Sequence, residues 1–298
     1  MQSTKKITRA MELIAASRIV KAQLRVAAAR PYSEQITEVI RQLSASGAGL
    51  DHPLLQQRDE VKNVGFIAIT ADRGLAGAYN ASIIRTVERA IAERRRQGQG
   101  YSLVLAGKKA ESFFRWRGYE IAHAGTGFSE QPHYTDACAL AGVVIDQYQN
   151  GEIDEVQLVY TRFLSIGTQR VVSRRLLPLD TGAIAERSGE GPSADYEFEP
   201  EPNEILEQLL PRYVESRVFA ALLEAAASEQ AARQRAMKAA TDNAEELIKN
   251  LSIDANKLRQ AGITTEIMEI VGGAEALRQA SQHPPEAHAF REMEQHPS

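Results

Sequence analysis

The stretch ALLEAAASEQAARQRAMKAATDNAEELIKNL, residues 221–251, decides the fold, because it contains neither glycine nor proline and is dominated by helix-forming residues. A composition dominated by helix-forming residues extends from residue 203 to residue 277, with Pro211 as the one proline. We therefore predict a helix over 203–277, about 110 Å long at ~1.5 Å per residue. A helix of this length extends beyond a compact domain and needs a second helix as a partner.

The N-terminal segment, residues 1–46, is predicted to supply that partner. Apolar residues recur along it at helical spacing in two stripes, which are Ile7, Met11 and Ile14, and Leu13, Val20 and Ala27. Two further stripes lie on the C-terminal helix: Leu247, Leu251 and Leu258, and Ile263, Ile267 and Ile270. Both segments are rich in alanine, which lets helices approach closely. The pattern predicts an antiparallel coiled coil of the two ends of the chain, with a kink or boundary at Pro31.

The middle of the chain, residues 61–180, alternates short apolar runs with amphipathic segments. The runs at 64–70, 102–106, 155–161 and 171–177 are typical of strands, and those at 81–96, 108–117 and 136–149 are typical of helices. This alternation predicts a small Rossmann-like α/β domain with a largely parallel sheet, inserted between the long helices. Residues 181–202 are predicted to form an acidic loop, and residues 278–298 a disordered tail.

Composition excludes several classes of function. The formal net charge is −4, which argues against a chain that binds nucleic acid. The single cysteine, Cys138, excludes an intrachain disulfide and a cysteine metal site, and the histidines lack metal-ligand spacing. No apolar run approaches the ~20 residues that span a bilayer. Any role at a membrane is therefore expected to go through partner proteins.

The best candidate for a small-molecule site is ITADRGLAGAYN, residues 69–80, where glycines follow a strand and precede a helix. It lacks a G-x-G-x-x-G motif. The sequence around Gly107 also fails as a P-loop, because Ser102 stands where glycine is required and Lys109 where serine or threonine is required. We favour a tight turn in which Asp72 caps the turn or pairs with Arg73, and we predict no catalytic residue, cofactor or metal.

Five segments of the chain resemble one family. Residues 5–21, 69–80, 213–223, 227–247 and 256–271 are similar, in order and spacing, to the gamma subunits of bacterial F-type ATP synthases. Alanine stands at 76 and 78, where that family commonly has cysteine and glycine. The resemblance covers about residues 2–277. It implies a non-catalytic central rotor shaft of a proton-translocating ATP synthase, which couples rotation of the membrane c ring to the catalytic sites on beta.

The resemblance also implies partners and a location. The partners would be three alpha and three beta subunits, the epsilon subunit and the c ring, with no nucleic acid. The location would be peripheral, on the cytoplasmic face of the bacterial cell membrane. Family members usually carry a further helical segment before the position of Met1. If the chain begins at Met1, we expect the pairing of residues 266–277 to be shortened; a misassigned start codon is the alternative.

Three groups of residues match contact positions of the family. Arg259 and Gln260 match positions that catch a beta-subunit loop. Met11, with Lys5, Lys6 and Arg9, matches the segment that meets an acidic lever loop of beta, although Met11 fits a core position equally well. Tyr196 and Phe198 match an aromatic–acidic segment at the foot of the shaft, facing epsilon or the c ring.

Two other classes of protein stay open as alternatives. A small α/β enzyme with a dimerising coiled coil predicts turnover or nucleotide binding by the isolated chain. A stand-alone coiled-coil scaffold predicts a stable, soluble homodimer. The rotor shaft predicts neither, and it predicts assembly with alpha and beta subunits instead.

Overall fold

The computed structural model describes residues 1–45, 52–179 and 201–282. In chain order they form α1 (Gln2–Ala45), β1 (Asn63–Ile69), α2 (Tyr79–Arg96), β2 (Gly100–Ala106), α3 (Lys108–Trp116), β3 (His123–Gly125), α4 (Tyr134–Gln149), β4 (Glu155–Phe163), β5 (Gln169–Leu177) and α5 (Pro202–Gln282). One compact unit comprises residues 5–241, and a second comprises Met1–Thr4 and the part of α5 from Asp242. The predicted acidic loop lies outside the described residues, apart from its last two.

The sheet has five strands in the order β3-β2-β1-β4-β5. Strands β1, β2, β3 and β4 are parallel, and β5 is an antiparallel edge strand beside β4. The prediction of a largely parallel sheet that includes a strand near 171–177 is therefore confirmed. Strand β3 was not predicted, because three residues are too few to show an alternating pattern.

Helices cover both faces of the sheet. Along β1, Phe66 and Ala68 face a core shared with α2 and α3, whereas Ile67 and Ile69 face a core shared with α4 and the long helices. Burial on both faces explains why β1 reads as a continuous apolar run rather than an alternating one.

The long helices α1 and α5 run antiparallel within the larger unit. Near the start of α1, the Thr241 hydroxyl donates to the Thr8 hydroxyl at 2.8 Å. Near the end of α1, Ile40 lies in one apolar cluster with Leu206 and Leu210, close to the start of α5. The predicted fold class, an α/β domain inserted into an antiparallel helix pair, is confirmed. Neither Pro31 nor Pro211 ends its helix, so of the kink or boundary predicted at Pro31 the boundary is wrong.

The side of α1 that faces α5 differs from the prediction. The buried residues of its first half are Thr8, Glu12, Ala15, Ile19 and Ala22. The predicted stripes face outward instead, with Ile7 60% and Val20 56% exposed. Ala15 and Ala22 are small enough to let a neighbouring helix approach closely, and Ala226, Ala227 and Ala231 of α5 are buried as well. Most of the larger apolar side chains in the first half of α1, among them Leu13 and Ile14, are left on its outer surface.

The C-terminal helix ends at Gln282, beyond the predicted boundary at 277, so residues 278–282 are helical rather than part of a disordered tail. The remainder of that tail, residues 283–298, lies outside the described residues. Within the described ranges, no helix has both the length and the hydropathy needed to cross a membrane. The same part of the chain holds no group of three His, Cys, Asp or Glu side chains arranged for a metal ion.

Candidate functional site

The predicted beta-facing cluster lies on the first turns of α1. Lys6 and Arg9 are exposed, and Arg9 donates to the Glu12 carboxylate at 2.8 Å. Lys5 and Met11 are partly buried. The partial burial of Met11 does not decide between the core role and the contact role that the sequence left open. The cluster presents cationic side chains next to the outward apolar stripe of α1.

The other predicted contact pair lies in the second compact unit. Arg259 and Gln260 are both exposed on α5, as is every residue from Leu251 to Gln279. The predicted stripes here are exposed too, with Leu258 74% and Ile270 66% accessible to solvent. The structure therefore brings Lys5, Lys6, Arg9 and Met11 together on α1 and places Arg259 and Gln260 in a different unit. Tyr196 and Phe198 lie outside the described residues.

A polar network, which we call the joint, ties both long helices to the α/β domain. It comprises Glu229 and Arg233 of α5, Glu130 from the loop between β3 and α4, the Gly74 carbonyl from the loop between β1 and α2, and Arg18 of α1. Arg233 donates to the Glu229 carboxylate at 2.6 Å and to the Gly74 carbonyl at 3.3 Å. Its other terminal nitrogen lies 3.8 Å from Glu130, which also accepts a hydrogen bond from Arg18.

The centre of the joint is buried. The Glu229 side chain is 1% exposed and the Arg233 side chain 7% exposed. Burial raises the pKa of Glu229, and the nearby guanidinium of Arg233 opposes that rise. A buried carboxylate of this kind depends on its partner, because removal of the cation leaves a charge in a medium that solvates it poorly. The Tyr79 hydroxyl adds a further bond nearby, donating to the Ala225 carbonyl of α5 at 3.2 Å.

The turn at residues 69–80 is a structural part of this region. The Asp72 carboxylate accepts hydrogen bonds from the Lys108 and Ser129 backbone N–H groups, each at 3.0 Å. The Lys108 N–H, at the start of α3, is thus bonded to a protein carboxylate at a position where a nucleotide-binding fold would offer it to phosphate. Arg73 lies 3.9 Å from Glu130, so it is directed towards the joint rather than Asp72. Asp72 therefore caps the start of α3 and the loop at Ser129 instead of its own turn, so both the predicted cap of the turn and the alternative pairing with Arg73 are wrong.

Burial alone would raise the pKa of Asp72, but hydrogen bonds from the backbone N–H groups of Gly127, Ser129 and Lys108 outweigh it and lower that pKa. A lowered folded-state pKa means that the stabilisation is fully present above the unfolded value and is lost as the pH falls through the folded value. We expect Asp72→Asn to lower the free energy of unfolding at pH 7 by about 1–2 kcal/mol. The difference from the unmodified chain should shrink as the solution is acidified.

Urea unfolding at neutral and acidic pH would measure this difference. Asp59→Asn is the matched control, because Asp59 is an exposed acid and its loss should change the free energy of unfolding by less than about 0.5 kcal/mol. A difference between Asp72→Asn and the unmodified chain that grew at low pH would contradict the capping role of Asp72.

The chain matches known proteins along most of its length. The family model described as ATP synthase matches residues 1–277. The ATP synthase gamma chain of Frankia casuarinae is 51% identical over 281 residues, which cover 93% of this chain and 94% of the relative. The chain belongs to the family of ATP synthase gamma chains. The gamma chain of Mycobacterium marinum is 46% identical over 291 residues, covering 93% and 94% of the two chains.

Solved structures resemble this gamma chain as well. A chain from the central stalk and c ring of the Tetrahymena thermophila mitochondrial ATP synthase aligns with a TM-score of 0.60 and 25% identity, covering 79% of this chain and 99% of that one. A chain from the Euglena gracilis mitochondrial ATP synthase aligns with a TM-score of 0.56 at 18% identity, covering 99% and 100%. At that identity the second likeness supports the fold alone.

No sequence pattern of this gamma chain predicted the joint. Glu229 and Arg233 are four residues apart on a helix, which is the spacing of an ordinary surface ion pair. Their setting is the one available signal, since both lie within the alanine-rich stretch that decides the fold. A charged pair surrounded by small residues indicates a helix that approaches other elements closely on that side.

Proposed function

We propose that this gamma chain is the central rotor shaft of a proton-translocating ATP synthase and has no catalytic site of its own. It would turn with the c ring, and its asymmetric surface would open and close the catalytic sites on three beta subunits, which alternate with three alpha subunits. The epsilon subunit and the c ring would hold its foot. Its place would be the cytoplasmic face of the bacterial cell membrane, reached through these partners.

One observation carries the proposal, which is the exposed apolar surface of the second unit. From Leu251 to Gln279 every residue of α5 is exposed, and the segment includes Leu258, Met268 and Ile270 at 66–74% exposure. In proteins, a helix is stabilised mainly by packing against other elements, and this segment has no such packing within the described part of the chain. Large contiguous apolar surfaces of this kind mark sites where another protein binds. A surrounding sleeve of alpha and beta subunits would cover this helix on all sides.

The outer surface of α1 supports the same assembly. Ile7, Leu13, Ile14 and Val20 are all more than half exposed, although they lie on a helix whose other side is packed against α5. Smooth apolar contacts have no directional preference, so they permit a shaft to turn inside a sleeve. Charged side chains at a few positions would then grip the sleeve at defined angles.

The joint provides a route for torque. Force applied to the α/β domain must reach α5 and α1, and a buried, short ion pair resists displacement better than solvated contacts. Glu229 and Arg233 link α5 to the loop that carries Gly74, and Glu130 links that region to Arg18 of α1. In this proposal the joint makes the α/β domain and the helix pair rotate as one body.

We infer that Arg259 and Gln260 catch a beta-subunit loop, that Lys5, Lys6, Arg9 and Met11 face an acidic lever loop of beta, and that Tyr196 and Phe198 contact epsilon or the c ring. The double variant Arg259→Ala with Gln260→Ala is expected to lower the ATPase rate of the assembled complex about tenfold. Losing a charge-assisted contact of about 1.5 kcal/mol corresponds to that factor.

The matched control for this pair is Lys257→Ala, which removes an exposed cation from the same helix, about 200° around it from Arg259. The control should keep the rate within about twofold, since exposed charges contribute little by themselves. Steady-state ATPase assays of purified complexes would measure both. Equal rates for the double variant and the unmodified complex would remove Arg259 and Gln260 from the proposed contact.

Co-expression with alpha and beta subunits of the same organism tests the proposal as a whole. We expect a complex with one copy of this chain for three alpha and three beta subunits, and ATPase activity that is lost when the chain is omitted. Native mass spectrometry gives the stoichiometry. A soluble homodimer that did not bind alpha and beta would favour the scaffold alternative, and nucleotide turnover by the isolated chain would favour the enzyme alternative.

A further inference from the structure

A basic cavity lies between the β4–β5 edge of the sheet and the long helices. Its volume is about 270 Å³, and its wall combines strand residues of β4 and β5 with helix residues of α1 and α5. Five arginines contribute to it: Arg30, Arg162, Arg174, Arg175 and Arg217. Two acids, Glu34 and Glu224, share the wall, so the cavity has a formal excess of positive charge.

The register of the edge strands explains how arginines come to line a cavity. Leu158, Tyr160 and Arg162 alternate along β4 and therefore lie on one face of the sheet. Arg174 of β5 pairs directly with Leu158, which puts it on that same face. Leu158 and Tyr160 belong to the apolar core beneath the helices. Arg162 and Arg174 are thus placed on the helix-facing side of the sheet, where apolar residues are the usual choice.

The acids of this cavity offset its positive charge only in part. Among the residues that the structure describes, no carboxylate lies within ion-pair distance of the guanidinium groups of Arg162, Arg174 or Arg217. Arg217 instead packs over the Tyr213 ring, with its guanidinium carbon 5.9 Å from the ring centroid. One carboxylate oxygen of Glu224 is buried and accepts no hydrogen bond. Arginines from β4, β5 and α5 that line one cavity without a carboxylate at ion-pair distance indicate a site that takes an anion.

We propose that this cavity binds a small, soluble phosphate-bearing anion. Planar guanidinium forks donate pairs of hydrogen bonds to phosphate oxygens, and arginines from β4, β5 and α5 approach the cavity from different directions. A tetrahedral dianion with several oxygens can accept from all of them, whereas a single carboxylate cannot. The volume lies just below the range of ~300–1,000 Å³ typical of sites for drug-sized ligands, which favours inorganic phosphate or pyrophosphate over a whole nucleotide.

The charge of Glu224 allows a test in which a substitution should increase the affinity for an anion. Burial raises the pKa of Glu224, while Arg162 and Arg174 oppose that rise. An ionised Glu224 would repel a bound anion, and a neutral side chain of the same shape would not. Replacement of Glu224 by glutamine should therefore tighten anion binding, whereas a general loss of stability would weaken it.

Isothermal titration of the purified full chain with pyrophosphate tests the proposal. The unmodified chain should show saturable binding with one site. Arg174→Gln and Arg162→Gln should each weaken it about tenfold, as expected for the loss of a charge-assisted pair of bonds. Glu224→Gln should tighten binding by about threefold. Arg89→Gln is the matched control, because it removes an equal charge from an exposed position on α2, outside the cavity, and should change affinity less than about twofold.

Three results would overturn the proposal. The first is the absence of saturable binding by the unmodified chain. The second is equal weakening by Arg89→Gln and by both cavity variants, which would indicate a diffuse charge effect. The third is binding only to vesicles that contain phosphatidic acid, which would assign the cavity to a lipid headgroup rather than a soluble anion. Circular dichroism of each variant establishes that it is folded, and the two arginine variants serve as independent readings.

Discussion

Replacement of Arg233 by alanine is expected to lower the free energy of unfolding by about 3–5 kcal/mol, because it leaves the carboxylate of Glu229 buried and unpaired. The Gly74 carbonyl would lose a donor in the same step. The effect should appear as a shift of the urea midpoint with little change in slope, since the surface exposed on unfolding stays the same. This is a large change for a domain whose total stability is of order 10 kcal/mol.

The chain contains a matched control for this prediction. Glu111 and Arg115 form an ion pair at the same i,i+4 spacing and almost the same distance, 2.7 Å, but the Arg115 side chain is 71% exposed. Arg115→Ala should therefore cost no more than about 1 kcal/mol. Similar effects of the two substitutions would mean that burial does not strengthen the joint, and the proposed torque route would lose its physical basis.

Ile40→Ala is expected to lower the free energy of unfolding by about 2–5 kcal/mol. Ile40 is fully buried in the core where the end of α1 meets α4 and the start of α5. The substitution removes apolar contacts and leaves a cavity between elements that cannot fully collapse. The resulting loss should also loosen the attachment of α1 to the α/β domain.

Leu24→Ala is the control for Ile40→Ala, because it removes a similar volume from the exposed side of the same helix, where Leu24 is 66% accessible. In the isolated chain it should change stability by less than about 0.5 kcal/mol. Thermal unfolding of both variants provides the measurement. If Leu24→Ala were the more destabilising of the two in the isolated chain, the assignment of inner and outer faces of α1 would be wrong.

The fold could be predicted because the sequence patterns that indicate it lie within single elements and extend over many residues. The alanine-rich stretch without helix breakers indicates α5 by composition alone, and the alternation of apolar runs with amphipathic segments indicates the inserted α/β domain. Strand β3 left no such signal, because three residues show no periodicity. The extent of α5 beyond 277 was also missed, since the polar residues there are compatible with either helix or coil.

The helix seam shows where sequence patterns mislead. Large apolar residues usually mark the buried side of a helix, and on that basis Ile7 and Val20 were predicted to pack. The buried side instead uses Ala15, Ile19 and Ala22. A shaft whose outer surface is itself covered in the assembly has two apolar sides, and the sequence alone does not say which of them faces inward.

The candidate site could be predicted only in part. The family resemblance names exposed residues such as Arg259, and its contact roles stay predictions, because they concern surfaces of other subunits. The joint depends on burial, which turns an ordinary pair at i,i+4 spacing into a strong constraint. Burial arises from loops distant in sequence, here those that carry Gly74 and Glu130, and no local pattern records that approach.

We propose that this chain turns as a shaft inside alpha and beta subunits. The most direct test of this proposal is single-molecule rotation of an immobilised complex, with a probe attached through an introduced cysteine at exposed Trp116 in the α/β domain, after replacement of Cys138 by serine. We expect ATP-driven rotation of the probe in one direction, in three equal steps per turn. Continued ATP hydrolysis with a stationary probe would contradict it.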